Sequence, residues 1–376
     1  MKIEMSKTAS ILLASLLVIS CQVSCQNKKN SVDKESSLKK AYSKEFYIGT
    51  ALDNNQINEN DSAVNHLIVT QFNAITPENI MKCEIIHPKW DTYNFDMADK
   101  YVALGAKNKM FVVGHALIWH SQLAPFVRKI KTKDSLELFM TNHINTIAGR
   151  YKGKVGGWDV VNEALNEDGT YRKSIFYQTL GEDFLVTAFK LAEKAAPGTE
   201  LYYNDFNIEQ PKKRAGAIAL LTKIKNSGAR IDGVGIQGHW NIEDLPIKDI
   251  EESIIAYSKL GLKVMITELD LSVLPNPKQL VGANIDQSFA QDPKMNPYAK
   301  GLPDSVQVKL AQRYEELFKV FLKHKDKISR VTFWGVNDQQ SWLNNFPIRN
   351  RTNYPLLFDR NNKPKLVYEK VLDLKK

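Results

Sequence analysis

Gly157-Trp158-Asp159-Val160-Val161-Asn162-Glu163 is followed by Phe184, Leu185, Ala188, Phe189 and Ala192, a stop at Pro197-Gly198, and then Leu201-Tyr202-Tyr203. The outer runs are short, β-branched or aromatic, and bounded by Gly or charge, the pattern of buried parallel strands. The residues between them recur at helical spacing and form one apolar face. The stretch therefore predicts a strand, a helix and a second strand.

Working outward, the same unit recurs. Upstream strand candidates are Phe46-Tyr47-Ile48-Gly49, Phe72-Asn73-Ala74-Ile75 and Met110-Phe111-Val112-Val113. Downstream ones are Gly233-Val234-Gly235-Ile236, Val264-Met265-Ile266-Thr267 and Val331-Thr332-Phe333-Trp334. Asp134 with Glu137 forms an expected capping box ahead of Leu136, Met140, His143 and Ile147. Val306, Leu310, Tyr314, Leu317 and Phe321 make another helical stripe. Eight strand-helix units predict an α/β fold, a single (β/α)8 TIM barrel, over a doubly wound sheet. No glycine-rich phosphate loop follows a strand, which argues against nucleotide binding. In such a barrel, functional residues gather at the C-terminal ends of the strands.

The N-terminus is set apart. Residues 1–20 read as a lipoprotein signal peptide: Lys2 and Lys7 precede the apolar run Ile11–Ile19, too short to span a bilayer comfortably, and Val18-Ile19-Ser20-Cys21 resembles a lipobox. Cys21 is the expected lipidation site, with Cys25 a weaker rival. Residues 21–42, rich in Lys, Ser, Asn and Gln, are expected to form a flexible tether, and 43–376 the (β/α)8 domain. This implies export and anchoring to a membrane, the outer membrane or cell surface of a Gram-negative bacterium, with a monomer as the default. Cys83 is then the one cysteine inside the domain, so no internal disulfide is expected. The 376 residues are 43% hydrophobic and 25% charged, with formal net charge +9. The lysines are scattered rather than gathered in a strip, so nucleic acid is not an expected partner.

Two predicted strands end in glutamate: Asn162-Glu163 on the fourth, and Thr267-Glu268-Leu269-Asp270 on the seventh. Glycoside cleavage needs one carboxyl to protonate the leaving oxygen and another to handle the anomeric carbon. A lone strand-end glutamate is more often a salt-bridge partner. Two on different strands, each beside aromatic and amide residues, favour the catalytic reading.

From about Tyr47 to Phe358 the chain resembles glycoside hydrolase family 10, the (β/α)8 endo-β-1,4-xylanases. The resemblance implies Glu163 as general acid/base and Glu268 as nucleophile of a retaining mechanism, with xylan and xylo-oligosaccharides as substrates. It places His239 between Glu268 and Asp270, orienting both. Strand alternation also puts Gln237 on the face of His239. Further motifs are Thr76-Pro77-Glu78-Asn79-Ile80-Met81-Lys82 and Gly114-His115-Ala116-Leu117-Ile118-Trp119-His120-Ser121-Gln122. In them Glu78, Asn79, Lys82, His115, Trp119 and Gln122 match glycone-side contacts. Asn162 matches the residue that bonds the 2-hydroxyl beside the cleaved linkage. Trp334 and Trp342 match the tryptophans over the subsites at the scissile bond, a roof that crowds a hydroxymethyl group. Asn204, in Tyr203-Asn204-Asp205-Phe206-Asn207, is expected on the leaving-group side, and Trp158 in the core.

No metal-ligand spacing is present, and no cofactor is expected. The loop 273–303, rich in Asn and Pro, either shapes subsites or covers the barrel edge. Rival readings are a barrel glycosidase acting on another β-1,4-glucan, or a non-catalytic glycan-binding lipoprotein. Retention of both Glu163 and Glu268 opposes the second. A two-domain solute-binding protein would need a hinge that the pattern does not contain.

Overall fold

The computed structural model describes residues 37–376. The leader, the lipidation site Cys21 and the tether up to residue 36 lie outside the described residues. Among the described residues there are nine strands. They are β1 (Tyr47–Leu52), β2 (Ala74–Pro77), β3 (Phe111–Trp119), β4 (Gly157–Asn162), β5 (Glu200–Asp205), β6 (Gly233–Ile236), β7 (His239–Asn241), β8 (Lys263–Ser272) and β9 (Ile328–Phe333).

All eight predicted strands are present, and every pairing is parallel. The order β6-β5-β4-β3-β2-β1-β9-β8 closes on itself where β6 pairs with β8, Gly233 opposite Lys263 and Ile236 opposite Ile266. This is the (β/α)8 barrel. The short β7 pairs only with β8 and sets His239 opposite Asp270. β3 and β8 run further than their apolar runs suggested, so His115, Trp119, Glu268 and Asp270 sit within strands. His115, Glu268 and Asp270 interrupt the apolar runs, which explains why hydropathy ended the strands before them.

Helices pack their apolar stripes on the outside of the sheet. The helix Asp183–Ala195 buries Phe184, Leu185, Ala188, Phe189 and Ala192. The helix Asp304–Lys323 buries Leu310, Tyr314, Leu317 and Phe321, with Val306 only partly covered. Trp158 is fully buried, as expected, and Cys83 is a buried free thiol.

Two expectations change. The helix Lys133–Arg150 is capped by Thr132, whose side chain accepts from the Ser135 N–H, so Asp134 lies in the first turn rather than at the cap. The folded domain also begins before residue 43. Leu38 and Tyr42 are fully buried around a one-turn helix, Leu38–Ala41, and the Tyr42 hydroxyl donates to the Val371 carbonyl at 2.6 Å. Leu38 and Tyr42 stand one helical turn apart, too few apolar residues in a polar stretch to mark a helix, and they dock against Gln71 and against Val371 near the far end of the chain.

Candidate active site

Glu163 follows directly on β4 with φ of 56°, the left-handed region that a residue with a Cβ seldom adopts. Such backbone persists only where its surroundings over-determine it. Here its N–H donates to the Asn204 carbonyl at 2.9 Å, and its own carbonyl accepts from Arg172 Nε at 3.2 Å. The next N–H, of Ala164, donates to the Tyr203 hydroxyl, which in turn donates to Asp205 at 2.5 Å. The Lys213 ammonium lies 3.0 Å from Asp205, both fully buried. Burial pushes the Asp205 carboxyl up to about 6 even though Lys213 opposes the shift. This turn aims the side chain inward: Oε2 accepts from Trp119 Nε1 at 2.8 Å, and Oε1 from Gln237 at 3.1 Å and Asn162 at 3.2 Å.

Glu268 stands across the mouth on β8. Its Oε1 accepts from Asn204 Nδ2 at 2.7 Å, and its Oε2 lies 3.2 Å from His239 Nε2. The other ring nitrogen of His239 is 3.1 Å from Asp270, whose second oxygen accepts from Trp342 Nε1 at 2.7 Å. Burial alone would strip the proton from His239, but Asp270 and then Glu268 raise its pKa to about 10. An imidazolium therefore sits between two carboxylates. Burial would likewise raise Glu268, yet the hydrogen bond from His239 and neighbouring positive charge outweigh it and hold the carboxyl below its ordinary range. Glu268 is thus ionised at neutral pH, the state a nucleophile needs.

The two glutamates share a cavity of about 310 Å³. The loop after β2 contributes Glu78, Asn79 and Lys82; β3 and its loop contribute His115, Trp119 and Gln122. Asn162, Gln237, His239, Trp334 and Trp342 complete the predicted lining. Lys82 donates to Asn79 at 3.1 Å and lies 4.7 Å from the centre of the Trp119 ring. Burial, opposed by Lys82, pushes the Glu78 carboxyl up to about 7, so near neutrality it can either donate or accept toward a sugar hydroxyl. His115 is held by Asp159 at 2.9 Å and meets Trp334 edge-on.

Asn204 is the one candidate placed differently. It is fully buried behind the cavity, donating to Glu268 and to Asn162 Oδ1 at 3.0 Å and accepting from Thr267 at 2.6 Å. With every polar atom engaged it orients the nucleophile and Asn162, and it is not a leaving-group contact. Asp270 also lies behind, acting through His239 and Trp342. Sequence reasoning missed Ala283 and Ile285 of the long loop, which line the cavity. It missed Tyr203, Asp205, Arg172 and Lys213, which fix the Glu163 turn; only the motif around Asn204 hinted at two of them.

The family model for glycosyl hydrolase family 10 matches residues 37–374. The chain belongs to that family. This family 10 enzyme is 43% identical over 345 residues to endo-1,4-beta-xylanase A of Xylanibacter ruminicola, covering 90% of this chain and 94% of that one. It is 37% identical to a beta-1,4-xylanase of Dictyoglomus thermophilum, over 96% and 98% of the two chains. Among solved structures, a GH10 endoxylanase retrieved from a sugarcane soil metagenome superposes with a TM-score of 0.87 at 45% identity, covering 90% of this chain and all of that one. The glycoside hydrolase assignment thus rests on the family match as well as on the paired glutamates.

Proposed function

We propose that the protein is an endo-1,4-β-xylanase that cleaves the xylan backbone with retention of anomeric configuration. The observation that carries the reading is the pair Glu163 and Glu268 in one cavity, with Glu268 held ionised by His239. Glu268 attacks the anomeric carbon while Glu163 protonates the departing sugar oxygen. Glu163 then takes a proton from water, which hydrolyses the glycosyl-enzyme ester and frees Glu268. Asn162, which accepts a hydrogen bond from Asn204, bonds the neighbouring 2-hydroxyl in this reading. Trp334 and Trp342 line the cavity, and a hydroxymethyl group on the sugar would be crowded by them, which favours xylose over glucose.

The test uses residues 37–376 and the variants Glu163→Ala and Glu268→Ala, with xylan and carboxymethyl cellulose as substrates. Expected are mixed short xylo-oligosaccharides from xylan, little release from cellulose, and a fall of at least ~10² in both variants. Proton NMR should show the β-anomer forming first. Full activity in Glu268→Ala, or α-anomer as first product, rejects the mechanism. Release from short oligomers alone rejects the endo-acting reading.

We further propose that the protein is exported, lipidated at Cys21 and held as a monomer at the outer membrane or cell surface, in keeping with the Val18-Ile19-Ser20-Cys21 pattern. A Cys21→Ser variant should move from the membrane fraction to the soluble one. Unchanged fractionation rejects the anchor.

A further inference from the structure

Lysines that are scattered along the chain meet on one face of the barrel. In a (β/α)8 fold the helix-to-strand connections lie at the N-terminal ends of the strands, opposite the catalytic mouth. Backbone hydrogen bonds tie these connections into one rim. The Gly156 N–H donates to the Val112 carbonyl, Glu200 to Gly156, Asp232 to Leu201, Lys263 to Asp232 and Val264 to Lys327, all between 2.8 and 3.0 Å.

On that rim Lys40 and Lys44 precede β1, Lys109 precedes β3, Lys152 and Lys154 precede β4, and Lys259 precedes β8. All are exposed, and none has an ion-pair partner among the described residues. The side-chain carboxylates of the same connections are already occupied. Glu45 lies 2.6 Å from Lys375, Glu200 2.6 Å from Lys263, Asp232 3.5 Å from Arg230 and Asp326 2.5 Å from Lys327. The rim therefore presents uncompensated positive charge.

The described chain also begins on this face. The Leu38 N–H donates to Gln71 Oε1 at 3.1 Å, and Gln71 ends the helix that leads into β2. Whatever precedes residue 37 thus joins the domain at the rim. Ammonium groups gathered on one face are attracted to an anionic surface, each adding to the pull within about a Debye length. We infer that the rim is a docking surface for the anionic headgroups of a lipid bilayer, which leaves the catalytic mouth turned away from the membrane. The charges spread around the end of a barrel rather than along a groove, and the attachment point lies among them, which favours a bilayer over a nucleic acid. The inference takes its membrane from the anchor proposed at Cys21 and is tested without that anchor.

Residues 37–376 form one compact unit with its own core, and they are used without lipid. They should co-sediment with vesicles of equal parts phosphatidylglycerol and phosphatidylcholine at least ~tenfold more than with phosphatidylcholine alone, and lose that preference at high salt. The combined variant Lys44→Gln, Lys109→Gln, Lys152→Gln, Lys154→Gln should abolish the preference, and Arg at the same positions should keep it. The mouth carries exposed cations of its own on the loops after β3 and β4. The combined variant Arg128→Gln, Lys129→Gln, Lys131→Gln, Lys173→Gln is therefore the charge-matched control and should keep the preference. Anionic vesicles should shield Lys109 and Lys152 from acetylation by an amine-reactive reagent while Lys129 and Lys131 stay reactive. No preference for anionic vesicles, a preference that survives in the rim variant, equal loss in the control, or shielding of the mouth lysines instead overturns the inference. Complete displacement from the vesicles by duplex DNA at equal phosphate assigns the rim to nucleic acid and overturns it as well. Fractionation of Cys21→Ser after a high-salt wash tests the anchor by itself, because salt releases the rim and leaves a lipid inserted.

Discussion

Burial opposes a charge on His239, yet Asp270 and Glu268 on either side raise its pKa to about 10. Replacing it with Gln removes the cation that keeps Glu268 ionised. The acid limb of kcat/KM against pH should then move to higher pH, because Glu268 binds a proton more readily; an unmoved limb contradicts this role. The same group links stability to pH. Its folded pKa lies above the unfolded value of about 6.5, so its contribution is complete below that pH and is lost as pH rises through about 10. The melting-temperature gap between parent and His239→Gln should accordingly narrow between those values. Across the mouth, Tyr203→Phe leaves the Ala164 N–H and the Asp205 carboxylate each short of a partner. Denaturant titration should show a loss of about 1–3 kcal/mol. Xylan hydrolysis should also fall, since the left-handed Glu163 turn is less constrained, although Tyr203 does not line the cavity.

At the scale of elements, local chemistry decides helix ends and distant chemistry decides loops. Thr132→Ala removes the side chain that caps Lys133–Arg150 and should cost about 1 kcal/mol in thermal or chemical melts. Asp134→Ala should cost less, as it loses only a favourable charge in the first turn. The reverse order would restore the capping box expected from Asp134 and Glu137. The loop 273–303 has little regular structure beyond a single turn at Pro293–Met295. It is tied to the segment that follows the neighbouring strand β9: Arg351 donates to the Pro275 carbonyl, the Phe289 N–H to the Pro347 carbonyl, and the Thr352 N–H to the Asn296 side chain. Between those anchors, Ala283 and Ile285 line the catalytic cavity. No periodicity within the loop encodes that placement.

For the whole molecule, closure of the barrel depends on what fills its interior. Arg330, almost fully buried, lies 5.5 Å from the Tyr202 ring centre and 5.7 Å from that of Phe111. Gly157 makes room for Tyr202: a Cβ there would stand 2.3 Å from the ring. Gly157→Ala should therefore destabilise the fold by at least ~1–3 kcal/mol, through overpacking, in equilibrium unfolding. A neutral result would mean that the barrel floor repacks freely. The alternation of strand and helix, the eight units, the two strand-end glutamates and most of the cavity lining were legible in the chain, Ala283 and Ile285 excepted. They are carried by residue type and spacing, which repeat locally. What tertiary structure alone decided is which of those polar residues face substrate and which face each other. Asn204 reads like its neighbours in a strand-end motif, but barrel closure puts Asn162, Thr267 and Glu268 around it and makes it a support. Leu38 and Tyr42 read like part of a polar tether until the chain's other end supplies Val371 to dock against. The cavity of about 540 Å³ lined by His120, Arg128, Arg172 and Asp286 forms only where the loops after β3 and β4 meet the loop after β8. Hydrogen bonding and charge act through space over a few ångströms, and chain order does not record which residues folding brings that close.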